Sequence, residues 1–316
     1  MKKFVAKSIL FAAIVVGVIG GVCALEIFAE IRAYRKEVIA PPGTSILVLG
    51  DSQLGNSVDP QVCPEFFNFS AHGRSLDQSY LAAIDLLRGN SDGRIRTIVL
   101  DAYPAGATIS FSCGMNDMDY ARKYWLLHYL HPDETTRSLN SGLVVARDNL
   151  VGRRLRHFWR AVRGKVEFHS SLEGKYTPFS EVVKRDNPTA FDGIARKKAG
   201  EAKGAADIGL DSPCFAVLDN VARLAAGEGV EMVLVTTPWH PDLIALCGEA
   251  ELDRFVASVS AWAAKRGVRY VSFLKERFPE ECWLDANHLN ANGARLFTPM
   301  LLNAIRGGAK GEGGVR

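Results

Sequence analysis

Ser45-Ile46-Leu47-Val48-Leu49-Gly50-Asp51-Ser52-Gln53 is the stretch from which the rest of the chain is read. Its apolar run is too short for a helix and carries no polar alternation, which predicts a strand buried on both faces, as in a parallel sheet. The run stops at Gly50-Asp51-Ser52, three turn-forming residues. A strand that ends at a glycine and then offers a serine presents a hydroxyl at the carboxyl edge of an α/β sheet, where such sheets place their chemistry. A serine hydroxyl is a weak nucleophile. It needs a base, and the base needs a group to orient it. Both residue types occur far downstream in Trp283-Leu284-Asp285-Ala286-Asn287-His288-Leu289-Asn290, just before the last helical pattern. Taken alone, Gly-Asp-Ser is an ordinary turn and Asp-x-x-His an ordinary helix approach. The expectation rests on finding one after the first strand and the other before the last helix.

The intervening chain alternates strand and helix patterns. Strands are predicted at Phe66–Ser70, Arg96–Asp101, Val230–Pro238 and Val268–Leu274, and helices at Gln78–Leu87, Cys214–Gly227, Leu252–Arg266 and Asn292–Ile305. This alternation predicts a three-layer α/β domain around a mainly parallel sheet. Residues 105–212 form an insertion without strand periodicity. Within it, 147–165 reads as a cationic amphipathic helix, a solvated packing helix or a contact for anionic lipid or polysaccharide. Residues 175–209, rich in Lys, Gly, Ala and Asp, read as a mobile loop and possible lid.

The chain has 316 residues, 47% of them apolar, enough for one sizeable domain with appendages. A net charge of +3 gives no reason to invoke nucleic acid. No Cys-x-x-Cys pair, zinc-ligand spacing or P-loop occurs, so the sequence offers no metal or nucleotide cofactor a site. Met1-Lys2-Lys3 precedes an apolar run whose uncharged core extends from Ser8 to Leu25, about the length that crosses a bilayer. A cleaved signal peptide and a lipidated Cys23 are alternatives. The run exceeds an ordinary signal h-region, and Val22 stands before Cys23 where a small residue belongs, so residues 1–28 are read as an uncleaved anchor. Residues 29–43 form the stalk, Pro41-Pro42-Gly43 marks the start of the 44–306 domain, and 307–316 reads as a disordered tail. Lys2, Lys3 and Lys7 favour a cytoplasmic N-terminus with the domain outside, in a bacterial inner membrane facing the periplasm. Cys63, Cys113, Cys214, Cys247 and Cys282 follow the anchor, an odd number, so pairing is open.

Val48-Leu49-Gly50-Asp51-Ser52 resembles the first sequence block of the SGNH, or GDSL-like, hydrolases. Asp285-Ala286-Asn287-His288-Leu289-Asn290 with Ala291-Asn292-Gly293 resembles their last block. The resemblance spans about residues 44–305, with a long unmatched middle. It implies a flavodoxin-like parallel sheet in the order 2-1-3-4-5, with Ser52 as nucleophile, His288 as base and Asp285 as its partner. It implies ester or acyl-transfer chemistry without a cofactor, on glycans or lipids, and envelope-biosynthesis partners. Gly73, in His72-Gly73-Arg74, matches the second block, whose glycine amide helps to hold the oxyanion. The third block, Gly-x-Asn-Asp, should end the strand at Asp101, which instead continues Ala102-Tyr103-Pro104; a Gly114-Met115-Asn116-Asp117 lies farther along. Gln53, Asp101 and His240, all at carboxyl ends of strands, are candidate oxyanion or substrate contacts in its place. The expected activity is an extracytoplasmic esterase or O-acyltransferase on acyl, chiefly acetyl, esters of envelope glycan. A glycan- or partner-binding module on the same fold is the rival, and a lipid esterase the third reading.

Overall fold

The structure, a computed structural model, describes residues 2–90, 92–104, 163, 188–205 and 213–307. The chain divides into two compact units: Met1–Ile39 with Asp117–Glu173, and Ala40–Asn116 with Gly174–Arg316.

In the first unit the described element is one helix, α1 (Lys2–Glu37, 36 residues). Among the described residues no helix is long and apolar enough to cross a membrane. Side chains of α1 such as Ala12 and Cys23 lie outside that description, so the anchor at 1–28 stays a reading of the sequence. The tail after Gly307, the basic segment 147–165 apart from Arg163, and Gly114–Asp117 also lie outside the described residues.

The second unit is built on five parallel strands: β1 (Ile46–Leu49), β2 (Phe66–Asn68), β3 (Thr97–Asp101), β4 (Glu231–Thr236) and β5 (Arg269–Ser272). Their order is β2-β1-β3-β4-β5, with Val48 paired to both Asn68 and Val99 and Asp101 paired to Val235. Successive side chains of a strand point to opposite faces. Ile46, Val48, Val99, Val233 and Val235 join a core with Leu54, Trp283, Phe297 and Leu301, placing α2 (Ser52–Ser57) and the last helix on that face. Leu47, Leu49, Ile98, Leu100 and Leu234 are equally buried and serve the opposite face. There α3 (Leu76–Arg88) packs on the helix Pro213–Gly227, which also packs on β4. A sheet covered on both sides explains why β1, β3 and β4 read as near-continuous apolar runs.

Residues 188–205, expected to belong to a mobile loop, form instead α4 (Pro188–Ala205). Ala195, Ala199 and Ala202 recur at helical spacing and pack with Trp239, Leu243 and Leu252. A stripe of alanines is apolar enough to bury, yet the surrounding Lys, Gly and Asp keep the segment's mean hydropathy low and hide it. The remaining helices are α5 (Pro213–Gly227), α6 (Pro241–Cys247), α7 (Glu249–Arg266) and α8 (Ala291–Gly307), with a 3-10 turn at Glu280–Cys282. Cys63 and Cys282 are free thiols.

Candidate active site

A parallel sheet brings the carboxyl ends of its strands to one edge. The turn after β1, the end of β3, the segment after β4 and the loop after β5 therefore meet there. The turn after β1 is short because Gly50 adopts φ +157, and its bare Cα lies against the Asp101 side chain. Asp51 then caps α2, its Oδ1 accepting the Gln53 N–H at 2.7 Å. Gly55, Asn56 and Ser57 are weak helix formers. They are held by burial and by Asn68, whose Nδ2 donates to the carbonyls of Leu54, Gly55 and Val58 at 3.2, 3.3 and 2.7 Å.

Ser52 opens α2. Its Oγ lies 2.8 Å from His288 Nε2. His288 Nδ1 lies 3.0 and 2.9 Å from Asp285 Oδ1 and Oδ2. A carboxylate on that side calls for a proton on Nδ1, which leaves Nε2 as the acceptor for the serine hydroxyl. Burial by itself would raise the Asp285 carboxyl. The hydrogen bond from His288, its charge and the N–H groups of Asn287 and His288 outweigh burial and hold the carboxyl below its ordinary range. Asp285 Oδ1 accepts those two N–H groups at 2.9 and 3.0 Å.

The loop that carries Asp285 and His288 is closed on itself. Leu284 N–H donates to the His288 carbonyl at 2.9 Å, and Trp283 bridges Leu289. Asn290 is 1% exposed. Its Nδ2 donates to the Glu281 and Trp283 carbonyls, and its Oδ1 accepts the N–H groups of Asn292 and Gly293, in the first turn of α8. Gly293 is required there, because a Cβ would come within 2.5 Å of the Cys282 carbonyl oxygen and 2.9 Å of Leu289.

The other candidates make contacts of their own. Gly73 takes φ +68, a backbone state suited to glycine. Its loop is tied to the serine turn by the Ala71 N–H, which donates to the Gly50 carbonyl at 3.1 Å. Gln53 is 1% exposed, and its Oε1 accepts the Thr237 hydroxyl at 3.0 Å, a cross-link between α2 and the end of β4. His240 is 2% exposed and caps α6: its Nδ1 accepts the Asp242 N–H at 3.2 Å, and its Nε2 lies 3.3 Å from Glu280 Oε2. Its ring meets Trp283 edge-on at 5.3 Å, and its backbone N–H donates to the Ala286 carbonyl at 3.0 Å. His240 thus braces the histidine loop from behind. Asp101 lies under the serine turn, where its Oδ2 accepts the Asp51 N–H at 3.1 Å. Tyr103 donates its hydroxyl to Asp51 Oδ2.

Sequence reasoning did not single out Asn290 or Thr298. Thr298 Oγ1 accepts the Asp59 N–H at 2.8 Å and so joins α8 to the chain just after α2. The one signal for Asn290 was its place ahead of a helix, in Asn-x-Asn-Gly. Among the described residues no group of three or more His, Cys, Asp or Glu side chains is arranged to hold a metal ion.

No family model and no curated protein sequence matches this chain. Among solved structures, one match is a protein of Bacteroides fragilis provisionally named an acylhydrolase. The two chains are 9% identical with a TM-score of 0.40, over 89% of this chain and 98% of the other.

Proposed function

We propose that this protein is a serine ester hydrolase or O-acyltransferase whose nucleophile, base and orienting acid are Ser52, His288 and Asp285. The observation that carries the reading is the continuous chain from Ser52 Oγ through the His288 ring to the Asp285 carboxylate, with links of 2.8 and 2.9 Å. Contacts this short are what general-base activation of a hydroxyl requires.

The chemistry follows from the links. Ser52 Oγ attacks the ester carbonyl carbon while its proton passes to His288 Nε2. Asp285 holds the Nδ1–H and stabilises the imidazolium. The tetrahedral oxyanion faces the backbone amides of Ser52 and Gly73, as the family resemblance implies. The carbon–oxygen bond to the leaving alcohol breaks, and His288 returns the proton to that alcohol. Water then attacks the acyl-Ser52, giving its proton to His288, and the acid leaves with Ser52 restored. A glycan hydroxyl in place of water makes the same steps an acyl transfer. Acyl esters of exported or envelope glycan, acetyl above all, are the substrates this reading favours.

Localisation belongs to the same proposal. Ile9, Leu10 and Phe11 are consecutive, hence on different sides of α1, and all three are exposed, as are Phe4, Leu25 and Phe28. A helix apolar on every side is suited to lipid. The domain would then stand on the periplasmic side of the inner membrane, beside the envelope glycan machinery. Sedimentation of the full chain with membranes after alkaline carbonate washing is expected; release into the supernatant would remove the anchor.

The chemistry is tested with the full chain in detergent. S52A and H288A should each abolish aryl-acetate turnover, a loss of about 10³-fold or more, and a fluorophosphonate probe should label Ser52. A folded protein that turns nothing over and stays unlabelled would favour the rival reading, a glycan-binding module. That rival is motivated by the strand end at Asp101, where the resemblance leads one to look for an asparagine oxyanion donor.

A further inference from the structure

Two carboxyl groups meet beneath the turn that presents Ser52. Asp101 lies so close to Gly50 that a Cβ there would fall 2.5 to 2.7 Å from its Oδ1, Cγ and Oδ2. Its Oδ2 accepts the Asp51 N–H at 3.1 Å, which brings it beside the Asp51 carboxyl; beyond burial, the charge and hydrogen bonding of that carboxyl both act to raise it. A hydrogen bond between two carboxyls needs a proton, and two charges at such a separation repel strongly. The surrounding donors indicate which acid holds it. Asp51 accepts on both oxygens, from the Gln53 N–H and from the Tyr103 hydroxyl. Asp101 is left as the group able to donate. Burial, followed by the charge of Asp51 and the hydrogen bond to it, pushes the Asp101 carboxyl well above the ordinary carboxylate range. Among the described residues these are the groups set around it. The serine turn contributes Asp51, the segment after β3 contributes Tyr103, and β4 runs alongside with Val235 and Thr236, which do not titrate. Behind Thr236 stands the Tyr270 hydroxyl, 2.7 Å from Thr236 Oγ1, and burial raises that phenol.

We propose that Asp101 is a positioning residue acting as a neutral carboxylic acid: it clamps the Gly50–Asp51 backbone so that Ser52 meets His288, and its ionisation loosens the clamp. Its effect on turnover rests on the reading of Ser52 as nucleophile; the clamp itself does not. An asparagine at 101 reproduces both halves of the contact, with Oδ1 accepting the Asp51 N–H and Nδ2 donating to the Asp51 carboxylate, and it cannot ionise.

The sign of the pH dependence follows. A carboxyl whose folded value is raised adds stability that is fully present below its unfolded value, about pH 4. That stability is lost as pH rises through the folded value. Full-chain wild type, D101N and D101A in detergent are compared by melting temperature and aryl-acetate turnover between about pH 5 and about pH 10. Wild type should lose melting temperature relative to D101N as pH rises. D101A should lose about tenfold or more in turnover at every pH. D101N should restore most of that loss and remove the alkaline decline. A melting difference between wild type and D101N that does not change with pH, or D101N as impaired as D101A, would overturn the proposal. Turnover surviving in S52A would end the esterase reading alone, since the melting comparison would still decide the clamp.

Discussion

The two halves of the candidate site are held by opposite means. The serine half is regular structure: a strand buried on both faces runs into a capped helix, and the turn between them rests on the Asp101 side chain. The histidine half is irregular. Its loop keeps its shape through side chains that take up backbone groups, chiefly Asp285 and Asn290, with His240 bracing it from behind. The two halves also depend on their acids in opposite senses, because Asp101 is raised and Asp285 lowered from the ordinary range. Regular structure can bury an acid against its neighbour, whereas a loop rich in N–H donors stabilises the charged form.

Substitutions can break this contrast or sharpen it. The largest effect is expected from D285N, which keeps the loop's size but favours the wrong imidazole tautomer. Turnover should fall about 10³-fold with little change in substrate binding. The same substitution reports the loop's pH dependence. A lowered folded carboxyl adds stability that is present above the unfolded value, about pH 4, and lost as pH falls through the folded one. The melting difference between wild type and D285N should therefore shrink under acid; a constant difference would mean the carboxylate charge is not what holds the loop. Next come G50A and G293A, one on each side, each forcing a Cβ against atoms closer than 3 Å. Each should destabilise by about 1–3 kcal/mol, measured by denaturant unfolding. G293A should cost more, since its Cβ meets backbone at Cys282 while that of G50A meets a side chain. The smallest effect is expected from E65A. It removes an exposed ion pair with Arg306 that links the start of β2 to the end of α8. Stability should move by no more than about 0.5 kcal/mol. A larger loss would show that the halves are joined across the surface as well as through the core.

The same contrast explains what the sequence made legible. The five strands could be expected from short apolar runs between helical patterns, and their order from the family resemblance. Ser52, Asp285 and His288 could be named because a nucleophile, a base and an acid carry their chemistry in their residue type. Gln53 and His240 stood at the right edge of the sheet but turn inward, and position along a chain does not report side-chain direction. Asn290 escaped notice because its work consists of hydrogen bonds to backbone, which leave no periodicity. The helix at 188–205 was hidden by its polar composition, although three alanines at helical spacing were there to be read.

The clasp between Thr298 and Asp59 has a consequence for biogenesis. A nascent polypeptide that has emerged only through α7 already carries its serine, but neither the imidazole nor the helix that fastens to the segment after α2. On the proposed reading, such an intermediate cannot cleave esters it meets on the way out. Reactivity would switch on when the final helix docks, so translation order itself would serve as the safety catch.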